Sequence, residues 1–399
     1  MKPVTRLFFI TTGWTLAMYS ASNFVGAWFW DIGTGIRPIL LFYTILFVVM
    51  VASFGSAARI RGHLSSRAMM TLGIILNAIY LVLLLILKTK TRQYFIPLAV
   101  LDGLASSFYW LALFVLASTW VKENQASWYN SWTGAIEAVL GLVAPPAAGW
   151  VIQAMPGLNG YRVVFFAAFL SLVACTWLVI AARREPAGDP PAPGPAPRQA
   201  ISLPPGWRRL TWAFWALGMR DGMYFFVPNL LLYIVTHSTV LLGAFSSMQA
   251  AIQGVVFWGL TRTGKRWGGR TGLAAATLVS LSALGLVAVA LNAVVLFALG
   301  AAIALSYPSF KVLLETSALT AITRHGRTEQ ERTQLTGLKE VWINGGRLFS
   351  LIFLLVLLSL LGPLNIPDFR WILGLWSLVP VGMYVLARGL KSTAAASDP

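Results

Sequence analysis

Apolar stretches of about 20 residues recur along almost the whole chain, each long enough to cross roughly 30 Å of hydrocarbon as a helix. A chain built this way has the bilayer for a solvent. Of its 399 residues, 57% are hydrophobic and 11% are charged, against the rough quarter that soluble domains carry. The runs predict an all-α membrane protein of about twelve spans, near 8–30, 38–57, 68–87, 95–119, 131–154, 162–182, 209–235, 241–261, 272–291, 293–320, 334–361 and 370–390. The first run follows Lys2 and Arg6 as in a signal peptide, but it exceeds the roughly 7–15 apolar residues of such a core and reads as a span.

A net charge of +17 would point to nucleic acid in a soluble protein, so the placement of the charges matters more than their number. With the N-terminus inside, and with Arg162, Arg209, Arg370 and Arg388 at span ends counted with the segments they adjoin, cytoplasmic segments hold 20 of the 30 Lys and Arg, external segments 6 and spans 4. That bias predicts a plasma (inner) membrane protein with both termini cytoplasmic. The external loop with Lys88, Lys90 and Arg92 runs against it. Cys175 is the only cysteine and sits in span 6, which excludes an intrachain disulfide. His63, His237 and His325 fall in three separate loops, a spacing from which no metal site follows.

Between spans 6 and 7 the run EPAGDPPAPGPAPRQ is too rich in Pro to pack, and it reads as a cytoplasmic linker over 183–208. It divides the chain into a six-helix bundle at 1–182 and a second at 209–399. The halves repeat weakly. Span 5 begins TGAIE at Thr133 and span 11 has TGLKE at Thr336; Leu16, Met18 and Phe24 recur as Leu217, Met219 and Phe225. Two matches at nearly the same offset, either side of a linker, favour duplication.

With this six-plus-six arrangement the chain resembles the major facilitator superfamily along essentially its whole length. That family carries a Gly-rich basic loop between helices 2 and 3, repeated between helices 8 and 9. The second copy is GLTRTGKRWGGR from Gly259, with Thr263 where Asp is usual, and the first, GSAARIRGHLSSR from Gly55, is degenerate. Span 5 resembles the motif of the antiporter branch through Gly141, Pro145, Pro146 and Gly149, with Pro145 and Trp150 where glycine is usual. Proline removes a helix hydrogen bond and glycine admits close contact, so these four residues are a candidate hinge. Span 4 lacks the Arg that the antiporter branch usually places there. The resemblance implies two pseudo-symmetric bundles, alternating access, and a cavity lined by helices 1, 4, 7 and 10.

Charges inside spans carry the most information, since each costs roughly 3 kcal/mol at the bilayer centre and must face protein, water or substrate. Span 7 holds Arg220 and Asp221, span 10 Lys311 and Glu315, and span 11 Lys339, Glu340 and Arg347; Glu137 lies on span 5 and Asp102 on span 4. Helical spacing groups Glu340, Asn344 and Arg347 on one face, Tyr307, Lys311 and Glu315 on another, and Ser246, Gln249 and Gln253 on a third. The first half offers Tyr19, Asn23, Ser106, Ser107, Tyr109 and Trp110 instead. Arg220, Asp221, Lys311, Glu315, Arg347, Asn344, Gln249, Gln253, Tyr109 and Trp110 are therefore candidates for a substrate or proton pathway, with Asp221 the preferred proton carrier and a structural ion network the competing reading. Glu137 and Glu340, near the basic loop residues Arg262, Lys265 and Arg266, fit a cytoplasmic gate about as well as substrate contact.

These features predict a secondary carrier that works as a monomer, without cofactor or metal, on an amphipathic or organic small molecule, with proton-coupled efflux the leading form. A lipid or glycolipid flippase is the alternative. There is no GxxxxGK[ST] phosphate loop to bind ATP. A membrane enzyme would gather Asp, Glu or His at one interface, and these acids are few and scattered.

Overall fold

The computed structural model of the chain describes residues 2–57, 60, 63–121, 123–182, 203, 206–224, 226–263, 270–289, 292–325, 329–361 and 368–388. Every long element among them is a helix. Spans 1 to 6 are α1 (Pro3–Asp31), α2 (Ile36–Gly55), α3 (Ser66–Leu87), α4 (Phe95–Trp120), α5 (Glu123–Ala154) and α6 (Asn159–Ile180). Span 7 is α7 (Trp207–Tyr224) with α8 (Val227–Thr236), and spans 8 to 11 are α9 (Thr239–Thr263), α10 (Arg270–Val289), α11 (Ala293–His325) and α12 (Glu329–Leu361). Span 12 is α13 (Phe369–Trp376) with α14 (Val379–Ala387). Nine described spans, α13 with α14 taken as one, are long and apolar enough to cross a bilayer; α1, α10 and the two-part span 7 make up twelve crossings.

Local chemistry explains where these elements stop. Pro3 opens α1, where its missing N–H is one the first turn would leave unpaired anyway. Gly33 and Gly35, at φ +78° and +75°, turn the chain into α2 through backbone that residues with a Cβ rarely adopt. Ser65 caps α3 by accepting the Ala68 N–H at 3.2 Å.

Spans 7 and 12, expected as continuous helices over 209–235 and 370–390, are each broken. Pro228 has no N–H for the Tyr224 carbonyl and Pro380 none for Trp376, so each helix restarts one turn later. At the second break the Ser377 N–H turns back onto the carbonyls of Leu373 and Gly374.

The chain forms two compact units, Met1–Arg198 with His237–Ser247, and Gln199–Thr236 with Met248–Pro399. In the first, α1 packs on α5 and α6 while α4 packs on α2 and α3. Trp14 of α1 stacks face to face on Tyr109 of α4, with ring centroids 3.6 Å apart and planes 7° apart. In the second, α7 and α12 share the most extensive contact. Gly218 and Gly222, one turn apart on α7, face the backbone of Ile343 and Arg347, and Gly346 faces the Trp215 carbonyl. A Cβ at any of the three would run into main chain, so these helices meet backbone to backbone in the small-residue manner of membrane helices. That approach sets Arg220 and Asp221 beside Asn344 and Arg347. Around it, Phe214, Leu217, Phe310, Leu314, Leu335 and Ile343 close a hydrophobic core.

Candidate functional site

The second unit gathers the charged residues of three helices. Asp221 of α7, 3% exposed, receives Arg220 Nη1 at 3.4 Å on one carboxylate oxygen and Arg347 Nη2 of α12 at 3.5 Å on the other. Arg220 is anchored further by α11: its Nη2 donates to the Ile303 carbonyl at 2.9 Å and to Ser306 Oγ at 3.2 Å. Its Nε is buried with no hydrogen-bond partner. Asn344, fully buried, accepts Arg347 Nη1 at 3.1 Å and donates to the Glu340 carbonyl at 2.8 Å, which fixes how Arg347 reaches Asp221.

Tyr307 of α11 lies between two cations. Its ring centroid is 5.2 Å from the Arg220 guanidinium and 5.3 Å from the Lys311 ammonium, within cation–π range of both. Lys311 has no carboxylate at ion-pair distance among the described residues. Toward one end of the cluster, Lys339 binds Glu315 at 2.8 Å and Glu340 at 3.1 Å. The structure places the charged residues that helical spacing had grouped on spans 7, 10 and 11 beside one another. For Gln249 and Gln253 no contact with the cluster is seen among the described residues.

The remaining expectations fare differently. Tyr109 is buried against Trp14 and serves packing, whereas its neighbour Trp110 is 41% exposed. Of the expected gate, Arg262 stacks on Trp258 at 4.3 Å, Glu340 is taken by Lys339, and Glu137 is exposed. Lys265, Arg266 and most of the Pro-rich linker lie outside the described residues. Trp215 joins Trp212, Phe349 and, through Trp212, Trp342 in an aromatic cluster on α7 and α12, a packing role.

The α5 residues singled out as a hinge are in a continuous helix with an unusual set of partners. Pro145 and Pro146 cannot donate to the carbonyls of Gly141 and Leu142, which in hydrocarbon need another donor. Ser247 supplies it, its hydroxyl reaching the Leu142 carbonyl at 2.7 Å and the Gly141 carbonyl at 3.4 Å. One turn and more along, Thr239 Oγ1 donates to the Gly149 carbonyl at 2.8 Å, and Gln153 Oε1 accepts both Ser238 Oγ and the Val240 N–H. Ser247→Ala is expected to strand the Leu142 carbonyl and lower stability by about 1–3 kcal/mol, read by thermal unfolding in detergent. At Gly149 any Cβ would meet the Thr239 carbonyl. Gly149→Leu is therefore expected to insert and express but to block turnover in a flux assay; wild-type turnover would show that this close contact is dispensable.

One mid-span acid noted in the sequence but given no role has polar neighbours in the first unit. Asp102 of α4 accepts Asn77 Nδ2 of α3 at 3.3 Å, and the Asn77 Oδ1 and Tyr80 Oη beside it are buried without hydrogen-bond partners. The signal available was a lone acid in an apolar run.

No family model matches the chain. The uncharacterized protein YqgE of Bacillus subtilis (strain 168) is 26% identical over 381 residues, 92% of this chain and 86% of that protein. An uncharacterized protein in the sodM 3' region of Geobacillus stearothermophilus is 26% identical over 162 residues, 41% of this chain and 75% of the relative. Among solved structures, a bacterial homologue of the iron transporter ferroportin superposes in its inward-facing state with a TM-score of 0.72 at 16% identity, covering 98% of each chain. The outward-facing state gives 0.69 at 15% identity, covering 98% of this chain and all of that one. The fold is that of a membrane transporter. The cluster on α7, α11 and α12 lies on spans 7, 10 and 11 of this fold.

Sequence analysis missed Ser306, Ser350 and Trp376, which hold α7 at the site. Ser350 Oγ and Trp376 Nε1 both donate to the Met219 carbonyl, at 2.6 and 3.0 Å, next to Arg220. Nothing in their local sequence marks them, because the partners that matter, the Arg220 guanidinium for Ser306 and the Met219 carbonyl for Ser350 and Trp376, lie more than 80 residues away.

Proposed function

We propose that the chain is a secondary carrier that exports an amphipathic organic molecule by alternating access, coupled to protons, from a plasma membrane in which both termini are cytoplasmic. The observation that carries this reading is the buried ionic cluster of Arg220, Asp221, Lys311 and Arg347. Four charges inside spans are kept in a protein only where they are paired, wetted or used, and membrane carriers hold them at the substrate and proton path. That proteins of this fold have been captured facing both inward and outward supports the cycle. The excess of Lys and Arg in alternate loops supports the orientation, and the Pro and Gly pattern of α5 supports export.

The neighbouring structures favour a second reading, a metal ion as cargo, since one of them was solved with soaked iron. Among the described residues no three His, Cys, Asp or Glu side chains converge, so an iron ion would lack the donor set it prefers here. An untargeted comparison of compounds retained by cells with and without the protein tests the substrate class. Loss of an organic compound from expressing cells is expected; a change confined to metal content would overturn the organic reading. For orientation, a cysteine at Ala192, on a Cys175→Ala background, is expected to resist a membrane-impermeant thiol reagent in intact cells and to react after lysis. Labelling in intact cells would reverse the topology.

A further inference from the structure

We infer that the cluster on α7, α11 and α12 binds the anionic group of an organic substrate, a carboxylate, sulfonate or phosphate, with Lys311 and Arg347 as the groups that contact it. This rests on the reading of the chain as a carrier and names the charge of its cargo. Apart from Arg208, Arg209, Arg324, Glu329, Glu331 and Arg332 near the helix ends, the charged side chains of the three helices are Arg220 and Asp221 of α7, Lys311 and Glu315 of α11, and Lys339, Glu340 and Arg347 of α12. Glu315 and Glu340 are both engaged by Lys339, and Asp221 is shared between Arg220 and Arg347 at ion-pair distance.

The geometry makes that pairing incomplete. Asp221 offers each guanidinium one oxygen at 3.4 or 3.5 Å, long for a charge-assisted hydrogen bond, and Arg220 keeps a buried Nε with no partner. Counting these seven mid-span groups, four cations face three carboxylates, and an anion bearing one charge neutralises the set. Arg220 is sealed in by α11, but the Arg347 side chain is 26% exposed and Lys311 is half-buried, so both can reach a ligand. The Tyr307 ring beside Lys311 gives the organic part of such a ligand an apolar wall. An inside-negative membrane potential drives an anion outward, in the direction of export.

The test uses two permanently charged probes of matched shape, 1-naphthalenesulfonate and (1-naphthylmethyl)trimethylammonium, measured by equilibrium dialysis on the full chain in phosphatidylcholine nanodiscs. The sulfonate is expected to bind at least tenfold more tightly than the ammonium, and Lys311→Gln to weaken the sulfonate at least tenfold. Thermal unfolding of Lys311→Gln is expected to match wild type, since Lys311 holds no carboxylate; should it unfold early, Arg347→Lys provides the second variant, with the same expected weakening. Competition by added phosphatidylglycerol assigns the anion to a lipid headgroup, and indifference assigns it to a soluble molecule; both support the site. Equal or tighter binding of the ammonium probe, absence of sulfonate binding, or sulfonate binding unchanged in Lys311→Gln and Arg347→Lys overturns it. Flux of the same probes in proteoliposomes is read separately, so that selective binding without flux overturns the carrier reading and leaves the anion site standing.

Discussion

Asp221→Asn is expected to abolish uphill flux driven by an imposed pH gradient in proteoliposomes, while substrate still binds and exchanges down its own gradient. Asn keeps an oxygen that can accept from Arg220 or Arg347 but cannot take up and release a proton. Arg220 and Asp221 are adjacent on α7 and point about 100° apart. The carboxylate therefore reaches across to Arg347 of α12 while Arg220 reaches α11. If Asp221 served only as a counter-ion, the same substitution would leave two guanidiniums without charge compensation. The cost would then be roughly 3–5 kcal/mol, as when one partner of a buried pair is removed. Thermal unfolding in detergent separates this from a stable protein that has lost coupling. Normal gradient-driven flux in a stable variant would end the role of Asp221 as the proton carrier. Asp102 would then be the acid to replace next, since it sits in a span with no described basic partner and with two orphaned polar atoms beside it.

Much of the architecture is legible in the sequence because the bilayer imposes so few solutions. Long apolar runs give the spans, and the charges that interrupt them at Arg220, Lys311 and Arg347 mark the helices that meet in the second unit, since such side chains cannot face lipid. What escaped was of two kinds. The breaks in spans 7 and 12 are written in Pro228 and Pro380, but in each case the apolar run continues past the proline and hides the missing donor. The other kind is satisfaction of main-chain groups at a distance. Ser247 matters because Pro145 and Pro146 free two carbonyls over 100 residues earlier, and Ser350 because the Met219 carbonyl needs a donor; hydropathy has no term for either. Tyr109, singled out by its place on span 4, turns inward to stack on Trp14, a contact that helical spacing within one span does not reveal.

Gly346→Leu is expected to have the largest effect on folding of any single change. Without a strong hydrophobic drive between helices already in lipid, α7 and α12 hold together through close van der Waals contact and the polar bonds that this contact permits. Gly346 lies against the Trp215 carbonyl, with the Met219 N–H also close at 2.7 Å from where a Cβ would stand. Neither is the end of a flexible side chain, so relief requires the two helices to part. Overpacking of a soluble core costs about 1–3 kcal/mol because side chains can shift; here the obstacle is main chain, and a loss above about 3 kcal/mol is expected by the same reasoning. Parting the helices also withdraws Ser350 from the Met219 carbonyl and Arg347 from Asp221, so the packing loss and the ionic loss are coupled. Gly254→Ala, at a position with open space around it, serves as the control and is expected to unfold like wild type. The readouts are thermal unfolding in detergent and the monodisperse fraction on size-exclusion chromatography, both of which are expected to collapse for Gly346→Leu. A Gly346→Leu protein with a wild-type melting temperature would mean that α7 and α12 are joined by their side chains, and that the ionic cluster holds its geometry without the backbone contact beneath it.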